Sequence, residues 1–140
     1  MRTAIDTNIV SAIWTAEPSA ERIAGILARS SDAGALTIAA PAYAELLAYP
    51  GATPEFVGGF LDSTRAEVDF LLDEAVWRVA GMRFGRYAAR RKSSRGGAPR
   101  RLLADFIIGA HALLRADRLL TLDVPLYARD FPELKIITCD

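Results

Sequence analysis

Four carboxylates stand in or beside apolar runs: Asp6 after TAI, Glu45 within PAYAELLAY, Asp105 opening DFIIGAHALL and Asp123 closing RLLTLD. Each falls where an element should begin or end, with its side chain directed toward the interior. Transferring a carboxylate from water to a low-dielectric interior is costly, and a cluster of them needs a compensating cation. No lysine or arginine adjoins any of the four in the chain. A divalent metal is the simplest compensator, and an all-oxygen donor set points to Mg²⁺ or Mn²⁺ rather than zinc. The chemistry expected of such a cluster is metal-dependent catalysis.

Other catalytic constellations are missing. The single histidine, His111, lies six residues after Asp105, about 120° around a helix from it, which points to a packed or hydrogen-bonded structural role. The single cysteine, Cys139, can build neither a disulfide within the chain nor a zinc cluster. No Ser/His/Asp or Cys/His set can be assembled. A haloacid-dehalogenase-type phosphatase needs a second aspartate two residues after the first, where this chain has Asn8. The acidic pair and mid-strand phosphoacceptor of a receiver domain are also lacking.

The elements that must position these residues follow from apolar period and from Pro and Gly punctuation. RTAI (2–5) reads as a strand ending at Asp6, and TNIVSAIW as a short helix that Thr7 or Asn8 could cap. Pro18 suits a helix first turn, with Ile23, Ile26 and Leu27 as its stripe to about Ser30. ALTIA (35–39) is a second strand. Helices are expected from Pro41 to before Pro50-Gly51 and from Pro54 to about Ser63, and VDFL (68–71) is a candidate third strand. Asp73 reads as the N-cap of a long helix to about Lys92 with Val76, Ala80, Phe84 and Tyr87 inside. SSRGGAP (93–99) is loop-like. The helix LADFIIGAHALLRA, the strand RLLTL and a last strand KIIT (135–138) complete the chain. Strands alternating with helices predict an α/β fold with a mainly parallel central sheet of four to five strands flanked by helices. In such sheets active sites lie at the carboxyl ends of the strands. Asp6 and Asp123 follow strands directly, and Glu45 is one turn into a helix that starts at that edge.

At 140 residues, of which 51% are hydrophobic, the chain should form one domain with one core. Neither a cleavable leader nor an apolar run near ~18 residues is present, so a cytoplasmic protein without a membrane segment is expected. Formal net charge is zero, yet residues 83–101 contain Arg83, Arg86, Arg90, Arg91, Lys92, Arg95, Arg100 and Arg101 and no acid. That leaves nine basic residues against seventeen acidic ones elsewhere. Such asymmetry favours a polyanionic partner, although a helix C-terminus attracts basic residues by its macrodipole alone. Arg90, Arg91, Lys92, Arg95, Arg100 and Arg101 are therefore the candidate nucleic-acid-binding residues.

The order DTN, an AE helix, RGGAPRRLLADFIIGAHA, then LLTLD followed by DFPELKII resembles a PIN-domain ribonuclease, more specifically a VapC-type toxin of a type II toxin–antitoxin pair. The resemblance spans Asp6 to Ile137. It implies one PIN-like nuclease domain over residues 1–140 and endoribonuclease activity with Mg²⁺ or Mn²⁺, with Asp6, Glu45, Asp105 and Asp123 as metal-binding and catalytic carboxylates. Thr7, Asn8 and Thr121 fall at the polar positions that help order the site. Related chains often carry an arginine after the threonine and a basic, glycine-containing turn after the last aspartate. Here the stretch is Leu122-Asp123-Val124-Pro125-Leu126. A small antitoxin partner and a homodimer are also implied, the latter through Trp14, Leu47, Tyr49, Phe56 and Phe60, which could equally be core. The alternatives are a non-catalytic module that kept the fold and a nuclease acting on DNA.

Overall fold

The alternation of apolar four- and five-residue runs with amphipathic stretches produces the expected parallel sheet. The computed structural model describes residues 1–94, 96 and 100–138. Arg95, Cys139 and most of the SSRGGAP stretch lie outside the described residues. Within them the chain runs β1 (Arg2–Ile5), α1 (Thr7–Trp14), α2 (Ala20–Ala33), β2 (Ala35–Ala39), α3 (Ala40–Leu47), α4 (Pro54–Thr64), β3 (Ala66–Asp69), α5 (Glu74–Ser93), α6 (Leu103–Arg115), β4 (Arg118–Leu120), α7 (Val124–Asp130) and β5 (Ile136–Ile137). The strands form one sheet in the order β3-β2-β1-β4-β5, and every pairing is parallel.

β1 lies at the centre, with Thr3 opposite Leu36 on one side and Arg118 on the other. Its Thr3, Ala4 and Ile5 are buried, as a strand covered on both faces requires. α6 packs against β1, β2 and β4 and against α3 and α5. Seven consecutive residues of α6, Phe106–Ala112, are buried, so it is the central helix of the domain. Asp73 accepts from the Val76 N–H and caps α5 as expected, and Thr53 caps α4 by bonding Phe56 N.

Several boundaries differ from those expected from sequence. α1 is capped by Asp6, whose carboxylate accepts from the Thr7 N–H at 2.8 Å, rather than by Thr7 or Asn8, which are inside the helix. α2 begins at Ala20, so Pro18 precedes its N-cap Ser19. The third strand is Ala66–Asp69 instead of residues 68–71, because Leu36–Ala39 of β2 pair with those four residues. Phe70 and Leu71, which make VDFL look strand-like, are 62% and 89% exposed. α7 has no counterpart among the expected elements. Pro125 marks a break in the sequence but falls in the first turn of this helix, where its missing N–H costs nothing.

α7 is seated by one close approach. A Cβ built on Gly109 of α6 would lie 2.5 Å from the Phe131 ring, so only glycine lets that ring settle on α6. Phe131 stacks in turn with Phe106 and Tyr127. Trp14, Tyr49, Phe56 and Phe60 form an aromatic cluster across α1, the α3–α4 turn and α4. Trp14, Leu47 and Phe60 pack on the core, whereas Phe56 is half exposed. No helix among the described residues is long and apolar enough to cross a membrane.

Candidate active site

All strands are parallel, so each strand's carboxyl end and the start of each helix leading back share one edge of the sheet. Asp6 follows β1 there, Glu45 lies on α3 after β2, Asp105 is in the first turn of α6, and Asp123 follows β4 at the start of α7. α6 leads into β4, which is why Asp105 reaches the same edge despite preceding its strand.

The four side chains are held by specific bonds. Asp6 is only 6% exposed. Its Oδ1 accepts from Thr7 N, its Oδ2 accepts from the Thr121 hydroxyl at 2.7 Å, and its backbone N–H donates to Leu120 O. Glu45 Oε1 accepts from the Thr7 hydroxyl at 2.9 Å. Asp105 Oδ2 accepts from Leu102 N at 3.0 Å, the reciprocal half of a capping box. The Asp123 backbone N–H donates to Thr121 Oγ1 at 2.9 Å. Asn8 Oδ1 accepts from Leu122 N at 3.1 Å and pins the loop between β4 and α7. Thr7, Asn8 and Thr121 thus each bond a carboxylate or the backbone beside one.

Burial and mutual repulsion raise the pKa of Asp6, Glu45 and Asp105. Burial above all, with the charges of Asp105 and Glu45, raises Asp6 to about 6 against the pull of its Thr121 and Thr7 bonds. Glu45 is raised by burial and by Asp105, and Asp105 by burial and by Asp123. The four carboxylates therefore sense one another in a chain from Glu45 to Asp123. Among the described residues no three of them close into a ready-made metal cage; each is turned to a protein partner. As donors they still suit a hard divalent ion: all are oxygen ligands, and three lack a basic side chain bonded to them.

The fourth carries a correction to the expectation from sequence. Arg101 donates to Asp123 Oδ2, so a cation is present in the acidic centre although none adjoins the carboxylates in the chain. The basic segment is also less bare than its sequence implies. Arg83 bonds Glu133 and the Asp130 carbonyl, and Arg90 pairs with the Asp130 carboxylate. Of the candidate nucleic-acid-binding residues, Arg91, Arg100 and Arg101 line a cleft of about 450 Å³ together with Tyr87, Pro125, Leu126 and Arg129. Arg91 also donates to Gly96 O, and Lys92 is exposed.

Two site residues escape the sequence patterns used above, Arg129 and Tyr127. Tyr127 is fully buried and its hydroxyl donates to the Asp105 carbonyl at 3.4 Å. Burial and the charges of Asp6, Asp105 and Asp123 push its pKa well above the usual tyrosine range, so it remains a neutral donor. The four-residue spacing of Leu126-Tyr127 and Asp130-Phe131 is the available signal. His111 has the structural role expected of it. It is 1% exposed, its Nε2 is 3.1 Å from Asp69 Oδ2, and burial lowers its pKa.

The model of the PIN domain matches residues 3–132. The chain belongs to the PIN-domain family. Solved structures agree on the fold. VapBC-1 from nontypeable Haemophilus influenzae superposes with a TM-score of 0.68 at 24% identity, covering 99% of this chain and 98% of that one. VapBC2 from Rickettsia felis, bound to a DNA fragment from its promoter, gives 0.63 at 20% identity with both chains fully covered. FitAcB from Neisseria gonorrhoeae gives 0.60 at 19%, covering 98% and 97%. No curated protein matches the sequence. The PIN domain of this chain carries its carboxylates where β1, β2 and β4 end.

Proposed function

We propose that this PIN domain is a metal-dependent endoribonuclease acting as the toxin of a toxin–antitoxin pair. The observation that carries the reading is the chain of mutually repelling carboxylates at the carboxyl edge of the sheet, three of them with raised pKa. A fold gains nothing in stability from such repulsion, whereas a divalent ion relieves it. Asp6, Glu45 and Asp105 would hold Mg²⁺ or Mn²⁺, with Asp123 completing the acidic set. When bound, the ion supplies Lewis acidity to the phosphoryl oxygen and lowers the pKa of water.

The chain's own residues do the rest. Thr7 and Thr121 fix Glu45 and Asp6 in orientation, and Asn8 holds the loop that presents Asp123. Either Asp105 or Glu45, both half-buried and raised in pKa, accepts the proton of the attacking water. The water oxygen bonds to phosphorus, the bond to the 3′ oxygen breaks, and that oxygen takes up a proton. The ends are 5′-phosphate and 3′-hydroxyl. Because the 2′-hydroxyl takes no part, RNA is selected by binding rather than by the chemistry, and the basic cleft beside Asp123 is the surface for it.

Support for the toxin role is the matched fold of toxin–antitoxin complexes, including one from Klebsiella pneumoniae; a small antitoxin and self-association belong to the same reading. The test is expression of the chain alone in bacteria and incubation of the purified chain with single-stranded RNA and Mn²⁺. Wild type should arrest growth and cleave RNA, leaving 5′-phosphates. Asp105→Asn should fold and do neither. Cleavage that persists in Asp105→Asn, or in excess chelator, would sink the proposal, and preferential cleavage of DNA would replace the substrate.

A further inference from the structure

Arg101 is fixed at both ends. Its backbone N–H donates to the Tyr87 hydroxyl at 3.0 Å, and that of Arg100 does so at 2.9 Å. The Tyr87 ring packs against Phe84 and Phe106, so α5 anchors the segment that leads into α6. The guanidinium donates to Asp123 Oδ2 and is partly buried with it. Its charge also favours ionised Asp105, against the repulsion from Asp123. Asp123 is tied in turn through Thr121 to Asp6. This arginine is thus built into the acidic centre.

Charge is consequently uneven along the cluster. Asp6, Glu45 and Asp105 bond hydroxyl and backbone N–H donors, which leave their negative charge in place. Asp123 is already matched by a guanidinium, which stays protonated at any working pH. Four carboxylates with no cation could share two divalent ions. Three carboxylates plus a neutralised fourth have the charge for one, and a second ion at the Asp123 end would face a fixed like charge at close range.

We infer that Arg101 is a resident counter-ion of this centre, holding the Asp123 end so that the chain takes one divalent ion, at Asp6, Glu45 and Asp105. The inference rests on the metal-centre reading above and adds that a side chain supplies the second positive charge. It also places guanidinium N–H donors where the basic cleft meets the carboxylates, a position from which a phosphate oxygen can be bound.

The test is calorimetric titration of Mn²⁺ into the full, chelator-stripped chain without RNA. Wild type should bind one ion. Arg101→Gln should bind two, Arg101→Lys one, and Arg101→Gln with Asp123→Asn one again. Two ions on wild type, or one on Arg101→Gln, overturns the inference. Should Arg101→Gln fail to fold, Arg101→Gln with Asp123→Asn decides. It removes the neutral pair as a unit, so one ion should bind with an affinity within about threefold of wild type, and a larger loss overturns the inference. A separate failure is recognisable: no binding to wild type, as to Asp105→Asn, overturns the metal centre itself and the role of Arg101 with it.

Discussion

Replacing Asp6 with asparagine should stabilise the metal-free protein. Asp6 is 6% exposed and its carboxyl is raised from the ordinary 3.8 to about 6, burial being the largest cause. That rise corresponds to ~3 kcal/mol of native-state cost when the group is ionised. The sign follows from proton uptake. A carboxyl raised on folding binds protons more readily in the native state, so its contribution is fully favourable below pH 3.8 and is lost as pH rises through 6. Asparagine keeps the acceptor for Thr7 N, and the Thr121 hydroxyl can accept from its amide while still accepting from Asp123 N. Allowing for imperfect replacement of the charged bonds, the gain at pH 7.5 should be about 2–3 kcal/mol. For a chain of this length that is roughly 7–10 °C in melting temperature. The assay is urea and thermal unfolding of both proteins in chelator between pH 4 and 8. The difference between them should be near zero at pH 4 and fully developed by pH 7. Adding Mn²⁺ should reverse the order, since only wild type gains a native-state ligand of high affinity. A variant equal to or less stable than wild type at pH 7.5 in chelator would refute the claim that Asp6 is held ionised at a cost.

Three further outcomes are expected. Gly109→Ala should lose about 1–3 kcal/mol in urea unfolding, because its Cβ meets the Phe131 ring at 2.5 Å. Arg90→Ala should cost about 2 kcal/mol by stranding the Asp130 carboxylate, only 4% exposed, and adding Asp130→Asn should restore most of the loss, as urea unfolding of the single and double variants would show. Replacing Arg91, Arg100 and Arg129 together by alanine should weaken RNA binding across sequences and reduce the log–log salt slope by roughly 0.7 for each phosphate no longer neutralised. Affinity measured over a salt series decides this, and an unchanged slope would remove the cleft from the RNA path.

What is legible in the sequence is what local rules govern. RTAI announces a strand because a short, largely apolar run ends at Asp6, ALTIA because a short, largely apolar run stops just before Pro41, and Asp73 announces α5 because a cap precedes a helical stripe. Asp6, Glu45, Asp105 and Asp123 stand out because acid beside an apolar run conflicts with simple burial. Arg101 with Asp123, and Arg83 and Arg90 with Glu133 and Asp130, do not, since these partners are 22 to 50 residues apart. They meet only where α7 and the residues after it fold back beside α5 and the start of α6. α7 itself is hidden by Pro125, whose effect depends on whether it falls in a first turn or an interior one. The third strand is misplaced by its sequence because Phe70 and Leu71 are apolar yet exposed; its register is set by Leu36–Ala39 of β2, which no property of its own residues reveals.

The central position of β1 has a consequence for the order in which this protein comes into being. The strand is made first, at residues 2–5, but one of its two neighbours, β4, is made at residues 118–120. During translation, at about 5–20 residues per second, the first neighbour is available within seconds and the second only after α3 to α6 have been made. Until then the side of β1 that Leu119 will cover is open, Thr121 is not there to hold Asp6, and Asp123 does not exist. A chain that has not yet reached β4 therefore holds Asp6, Glu45 and Asp105 without Thr121 to fix Asp6, and the set of four carboxylates at the sheet edge is completed only when β4 inserts beside β1.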